Sequence, residues 1–202
     1  MLLNVEDCQL VLVDYQARLL PAIHQGAEVL ARARFLAQVA QALEVPVWGT
    51  EQNPDKLGPN DAAVRALCAR TFSKMTFDGS RCGLTQALRP ALPKPGGNAR
   101  SLPRHLQKPA PAAGPARGTI VLAGVEAHVC LLQTALGLLE QEFDVWVVTD
   151  ASSSRRERDR DAAFDRLAGN GVELVTSEMV AYEWLEDCEH PQFREVLSLV
   201  KA

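Results

Sequence analysis

The chain reads as an α/β protein: a three-layer α/β/α Rossmann-like sandwich with a mostly parallel six-stranded sheet and helices on both faces. Two observations predict it. Short apolar runs alternate with longer segments of helical periodicity, the pattern of parallel strands joined by right-handed crossovers. The runs are also apolar through their middles rather than at every second residue, as expected of strands covered on both sides. With 202 residues, 47% of them apolar and 23% charged, the chain is long enough for one domain with a full core.

The first strand is 8–14 (CQLVLVD). A helix over 26–44 carries Val29, Leu30, Ala33, Leu36, Ala37, Ala40 and Leu43 at helical spacing. Residues 45–50 form the second strand, and 60–68 a helix with Asn60 as its N-cap. The third strand is 72–77, followed by a short helix over 83–88. The fourth strand, 119–124, leads into an apolar helix over 127–141 suited to burial. The fifth strand is 144–150, then a helix over 158–168 and a sixth strand over 172–176. Helical patterns at 177–186 and 191–201 close the chain. One stretch breaks the alternation: 90–118 holds seven of the twelve prolines, with Arg100, Arg104, His105 and Lys108 between them. It reads as a solvent-exposed insertion in the single domain.

Composition narrows the function. A net charge of −4 supplies no basic stripe for phosphate contacts, which argues against a nucleic-acid partner. No apolar run approaches the roughly 18 residues of a membrane span. The N-terminus lacks a basic region followed by an apolar stretch and a cleavage site. The five cysteines (Cys8, Cys68, Cys82, Cys130 and Cys188) form no C-x-x-C pair, so neither a disulfide frame nor a structural zinc is indicated. Reduced thiols suit a cytoplasmic setting.

Cys130 is the most informative residue. The fourth strand ends at Gly124 and a helical pattern starts just after it, which places a thiol at the amino end of a helix on the carboxyl edge of the sheet. The positive end of the helix dipole is expected there to stabilise a thiolate, although a free cysteine is also often a small buried hydrophobe. Asp14 ends the first strand, and Lys74 lies near the edge of the third. Taken singly, Asp14 reads as a capping carboxylate and Lys74 as a solvated charge. If the first strand is central, the three edges converge at the crevice where open α/β sheets bind ligands. A cysteine hydrolase needs this set: the ammonium favours thiolate, the carboxylate shuttles the proton, and the sulfur attacks an electrophilic carbon. Backbone N–H groups around Glu126 and Cys130 could form an oxyanion hole.

Several blocks together resemble the isochorismatase-like cysteine hydrolases. They are Leu12-Val-Asp14-Tyr-Gln16, Thr50-Glu51-Gln52-Asn-Pro-Asp-Lys-Leu-Gly58, Lys74-Met-Thr-Phe77, Gly124-Val-Glu-Ala-His-Val-Cys130-Leu-Leu-Gln-Thr-Ala135 and Thr149-Asp150-Ala-Ser-Ser-Ser-Arg155. The Gly-x-Glu-Ala-His-x-Cys block with Thr-Glu-Gln looks most like the divergent branch known only as isochorismatase domain-containing. The resemblance implies Asp14, Lys74 and Cys130 as catalytic triad and a cis peptide at Val125–Glu126. It further implies that the N–H groups of Glu126 and Cys130 face an oxyanion, that the substrate is a small molecule, and that the chain forms a homo-oligomer. The nicotinamidase branch carries an Asp/His metal cluster after the second strand. Residues 51–58 contain no histidine, so no metal and no cofactor are expected. Isochorismatases proper tend to lack the cysteine because they cleave a vinyl ether, so Cys130 points to an amide-like or imine-like substrate, with an amide-like C–N bond the leading expectation. Asp78 stands where many relatives have a small hydroxyl residue.

The remaining candidates are weaker. Gln16 could orient Asp14 or sit at the surface, Glu51 and Gln52 could line the pocket or cap a loop, and Phe77 reads as pocket wall or core. Side chains two apart at a helix start diverge, so His128 reads as supporting or packing rather than as a general base for Cys130. An ether hydrolase and a non-catalytic oligomeric binding protein are the rival readings. A flavodoxin-like nucleotide binder is disfavoured because no G-x-G-x-x-G follows Asp14.

Overall fold

A computed structural model describes residues 2–89 and 117–201. Strands β1 (Cys8–Val13), β2 (Val47–Gln52), β3 (Arg70–Lys74), β4 (Thr119–Gly124), β5 (Asp144–Val148) and β6 (Glu173–Val175) form one parallel sheet. Their order is β3-β2-β1-β4-β5-β6. The proline-rich insertion expected over 90–118 lies, apart from its last two residues, outside the described residues.

Every residue of β1 and of β4 is buried, and the pleat sends alternate side chains to opposite faces. Leu10, Leu12, Val121 and Ala123 meet α1 (Gly26–Ala42), α7 (Ser177–Leu185) and α8 (Phe193–Val200) through Ala33, Leu36, Val180, Trp184 and Val196. Val11, Val13, Ile120 and Leu122 face the other layer: α4 (Leu84–Leu88), α5 (Leu132–Leu139) and α6 (Glu157–Gly169), through Leu84, Leu131, Leu138 and Leu167. Covering both faces explains the continuous apolar runs. Each fully buried leucine of this kind contributes about 1.5–3 kcal/mol, and truncation to alanine costs about 2–5 kcal/mol because the site collapses only partly.

Several boundaries differ from the sequence expectation. β2 runs on to Gln52, and β3 ends at Lys74 rather than at Phe77. A one-turn helix α2 (Pro54–Leu57) follows β2. The N-cap of α3 (Ala62–Leu67) is Asp61, not Asn60. The Asp61 carboxylate accepts from the N–H groups of Ala63 and Val64 and is itself held by Arg34. The Asn60 side chain instead donates to the Thr50 carbonyl. The expected 127–141 helix begins as a π-helical turn, Ala127–Leu131, before continuing as α5.

The sheet order carries the functional consequence. Crossovers from β1 run outward through β2 to β3, and those from β4 run the other way through β5 to β6. β1 and β4 are therefore neighbours at the switch point, where the loops leaving the carboxyl edge part and open a crevice. A β-carbon at Gly124 would lie 2.5 Å from the Val13 Cβ and carbonyl oxygen, so the two strand ends approach as closely as they do only because this position is glycine.

Candidate active site

Asp14, the residue after β1, lies in the left-handed region (φ 59°), where aspartate is one of the few side chains tolerated. The turn returns the Gln16 N–H to the Asp14 carbonyl at 2.6 Å. The Asp14 carboxylate is fully buried. It accepts from the Thr50 hydroxyl at 2.8 Å through Oδ1 and from Lys74 Nζ at 2.7 Å through Oδ2. Lys74 ends β3, two strands from β1. At about 4.8 Å per strand this is a span of about 10 Å, which only a long side chain bridges. Both side chains of the pair are 0% exposed.

Lys74 Nζ also donates to Gln52 Oε1 at 2.6 Å, and the Cys130 thiol faces the same oxygen at 3.8 Å. Thr50 and Gln52 alternate with Glu51 along β2, which is why the first two point to the cluster and Glu51 points away. Cys130 (6% exposed) and Gln52 (8%) form the edge of the cluster nearest the surface, with Asp14 and Lys74 behind them.

Cys130 rides on the π turn. The N–H groups of Val129 and Leu131 converge on the Glu126 carbonyl at 3.0 and 3.3 Å, and single π turns of this kind occur frequently at functional sites. The loop after β5 secures the turn: Ser152 Oγ accepts from the Gly124 N–H, the Ser153 carbonyl from the Ala127 N–H, and Ser154 Oγ from the His128 N–H. The peptide Val125–Glu126 is cis. The Glu126 N–H has no acceptor among the described residues. His128 turns its ring nitrogens to Ser154 Oγ (2.9 Å) and to Glu126 Oε2 (3.6 Å), and Arg155 sits 3.1 Å from that same oxygen. These contacts fit a supporting role for His128.

Burial pushes the Cys130 thiol up to about 12, and the Asp14 charge adds to it, while the Lys74 ammonium pulls the other way. This reverses the expectation of a stabilised thiolate. The ammonium is already neutralised by Asp14 at 2.7 Å, so its field at the sulfur is largely cancelled, and the sulfur is shielded from water. At rest the group is a neutral thiol beside a buried ion pair.

The other candidates divide. Gln16 is fully buried, but it clamps β2 rather than orienting Asp14: its Nε2 donates to the Gln52 carbonyl at 2.9 Å and the Gly58 carbonyl at 2.6 Å, while its Oε1 accepts from the Gln52 N–H at 2.9 Å. The Glu51 carboxylate accepts from the Asn60 N–H at 2.9 Å and lies 3.8 Å from Arg65, so it braces the loop before α3. Phe77 is 51% exposed and lines a surface groove with Met75, Arg81, Leu136 and Gly137, away from the buried pair. A larger groove of about 850 Å³, lined by Leu2, Met179, Tyr182 and Glu186, contains none of the cluster residues. Among the described residues, no three His, Cys, Asp or Glu side chains gather as a metal site would need. Sequence reasoning missed Thr50, whose hydroxyl fixes Asp14. Its place on the same pleat face as Gln52 was the available signal.

An open parallel sheet with a polar cluster at its switch point defines an α/β protein of the ligand-binding, Rossmann-like class. Comparison with known proteins narrows this class. The isochorismatase domain matches residues 102–179. The chain is 34% identical to "Isochorismatase domain-containing protein 2A" of Mus musculus, covering 97% of this chain and 84% of that protein. It is 35% identical to "Isochorismatase domain-containing protein 1" of Salmo salar over 94% of this chain, but it spans only 59% of the length of that relative. Among solved structures, one described as the MAR1 ribonuclease of Caenorhabditis elegans superposes with a TM-score of 0.82 at 28% identity, covering 100% of this chain and 93% of that one. YcaC of Pseudomonas aeruginosa shares the fold, with a TM-score of 0.79 at 23% identity over 98% of this chain and 91% of that one. The chain belongs to the isochorismatase family.

Proposed function

We propose that the chain is a cysteine hydrolase that cleaves the C–N bond of a small amide through a thioester on Cys130, with Asp14 and Lys74 completing a triad. The observation that carries this reading is the fully buried Lys74–Asp14 pair at 2.7 Å, which shares the Gln52 oxygen with the Cys130 thiol and acts on that thiol. Two charges are costly to take out of water, and a well-packed apolar substitute would serve stability as well or better. A pair kept beside a sulfur is better accounted for by chemistry.

The steps follow from the groups. As the sulfur attacks the amide carbon, its proton passes to Asp14, an S–C bond forms, and the carbonyl electron pair moves to oxygen. The Glu126 N–H, which has no acceptor among the described residues, and the Cys130 N–H would receive that oxyanion. Asp14 then returns the proton to the departing nitrogen, the C–N bond breaks, and a thioester and ammonia (or an amine) remain. Water gives a proton to Asp14 as its oxygen bonds to the thioester carbon; the C–S bond then breaks, Asp14 returns the proton to the departing sulfur, and a carboxylic acid and the Cys130 S–H result. Lys74 holds Asp14 in place and offsets negative charge on the sulfur while the proton is away.

A ribonuclease reading, suggested by the name of the Caenorhabditis elegans structure, has less support. The net charge is −4, and the ammonium of the cluster is already engaged by Asp14 rather than open to a phosphate. Ammonia release across a panel of primary amides tests the proposal: turnover by the parent and background only in Cys130→Ala is expected. Equal turnover by both proteins would remove covalent catalysis.

A further inference from the structure

Gln52 holds a position that the triad alone does not account for. Its carboxamide oxygen meets two donors, Lys74 Nζ at 2.6 Å and the Cys130 thiol at 3.8 Å. Its nitrogen is committed elsewhere, donating to the Met75 carbonyl at 2.9 Å. Turning the amide over would set NH₂ against an ammonium and one carbonyl against another, so the surroundings fix the oxygen toward the cluster. The backbone of Gln52 is fixed as well: both its N–H and its carbonyl are bonded to the Gln16 carboxamide at 2.9 Å, and the strand pairs with β3 at Lys74. A pure acceptor has thus been immobilised between a cation and a thiol.

We propose that Gln52 is a positioning residue of this site: its fixed oxygen anchors the Lys74 ammonium against Asp14 and holds the Cys130 proton on sulfur until a substrate arrives. The inference deepens the cysteine-hydrolase reading and rests on it for the role of the sulfur. An acceptor aimed at S–H favours the neutral thiol and opposes the anion. Transfer to Asp14 requires the S–H to leave the Gln52 oxygen for the carboxylate, with the S–H bond breaking as the O–H bond forms. The charged groups facing the sulfur are Asp14 from β1 and Lys74 from β3, and the same pair acts on the Cys82 thiol before α4. Glu126 and His128, on the turn that carries Cys130, face Arg155 and Ser154. Gln52 is thus the neutral group that tips the balance.

The test is peptide-resolved iodoacetamide labelling of Cys130 in the full chain, from about pH 6 to about pH 11, for parent, Gln52→Met and Gln52→Glu. Methionine keeps the volume and removes the acceptor. Its labelling curve is expected to move down by about half to one pH unit, with about three- to tenfold faster labelling near pH 8. Glutamate places an anion there, and its curve is expected to move up by about one unit, with labelling slowed about tenfold. A merely structural residue would shift both curves alike or not at all. Superposed curves, or curves displaced in the same direction in folded protein, overturn the proposal. If Gln52→Met does not fold, an unshifted or downward curve for Gln52→Glu overturns it by itself. Labelling needs no substrate: absence of amide turnover in the parent would defeat the hydrolase reading and leave this result standing, and unshifted curves would do the reverse.

Discussion

Cys8 and Cys130 sit at opposite ends of the same sheet and invite comparison. Cys8 opens β1 at the amino edge and is 0% exposed; Cys130 lies beyond β4 at the carboxyl edge and is 6% exposed. Burial pushes both thiols up, to about 11 for Cys8 and about 12 for Cys130. Acidity therefore does not single out the proposed nucleophile, and on that measure alone the two would be taken for equivalent core residues. Their neighbours separate them. Asp7 and Asp144 act on Cys8 only through space, whereas Cys130 faces a carboxylate already oriented by Thr50 and Lys74. Under the proposal, Cys130 differs from Cys8 in having a base ready for its proton rather than in its resting acidity.

The largest expected difference is in turnover. Cys130→Ala should lower ammonia release from a responsive amide by at least about 1,000-fold, since removing a nucleophile costs on this scale or more. Cys8→Ala, provided it stays folded, should remain within about threefold of the parent because it touches only packing. Parallel losses in the two variants would erase the distinction.

Asp14→Asn sharpens it. The variant keeps the shape and loses the base, so turnover should fall about 100- to 10,000-fold. At the same time the negative charge that holds the proton on sulfur is gone and Lys74 remains, so iodoacetamide labelling of Cys130 near neutral pH should speed up. Activity and labelling are expected to move in opposite directions. If labelling slows together with turnover, Asp14 does not act on the sulfur as described.

Lys74→Met leaves a carboxylate buried without its partner. Denaturant unfolding should show a loss of about 3–5 kcal/mol near neutral pH. Unchanged stability would mean the pair is not buried as described.

The smallest effect is a pH slope common to both thiols. Each titrates higher in the folded state than its ordinary value of 9.0, so folding favours the protonated sulfur. That contribution is complete below about pH 9 and is lost as pH rises through about 9 to 12. Thermal melts should therefore decline over this window, and less steeply when either cysteine is replaced by alanine. A melt that rises from pH 9 to 11 would contradict the burial of these groups.

Much of this was legible in the sequence, and the misses have physical causes. Strand type and order of elements followed from apolar runs such as 10–13 and 120–123, because double coverage leaves a strong composition signal. Asp14 and Lys74 were readable as residues near strand ends and Cys130 as the start of the helix after the fourth strand; their convergence hung on β1 being central, which the order β3-β2-β1-β4-β5-β6 shows. Strand ends were not readable. β3 stops at Lys74 because Asn53 takes its carbonyl at 2.8 Å and the following chain turns out to the surface, leaving Met75 and Phe77 exposed. The π turn at 127–131 was invisible because π and α turns share nearly the same apolar spacing. The state of the sulfur was misjudged because a helix start and a lysine each favour thiolate, and only the structure reveals that Asp14 has already claimed the lysine. Gln16 could have oriented Asp14 and Glu51 could have lined the pocket, but the turn after β1 sends Gln16 to the backbone of Gln52 and Gly58, and pleat alternation turns Glu51 to the Asn60 N–H.

The most direct test is to mix the protein with an amide it turns over, quench in acid within the first turnovers, and read the mass of the Cys130 peptide. The account predicts an acyl group on the Cys130 sulfur, absent from Cys8 and unformed in Asp14→Asn on the same timescale. Sustained ammonia release with Cys130 never acylated, or undiminished release by Cys130→Ala, would contradict it.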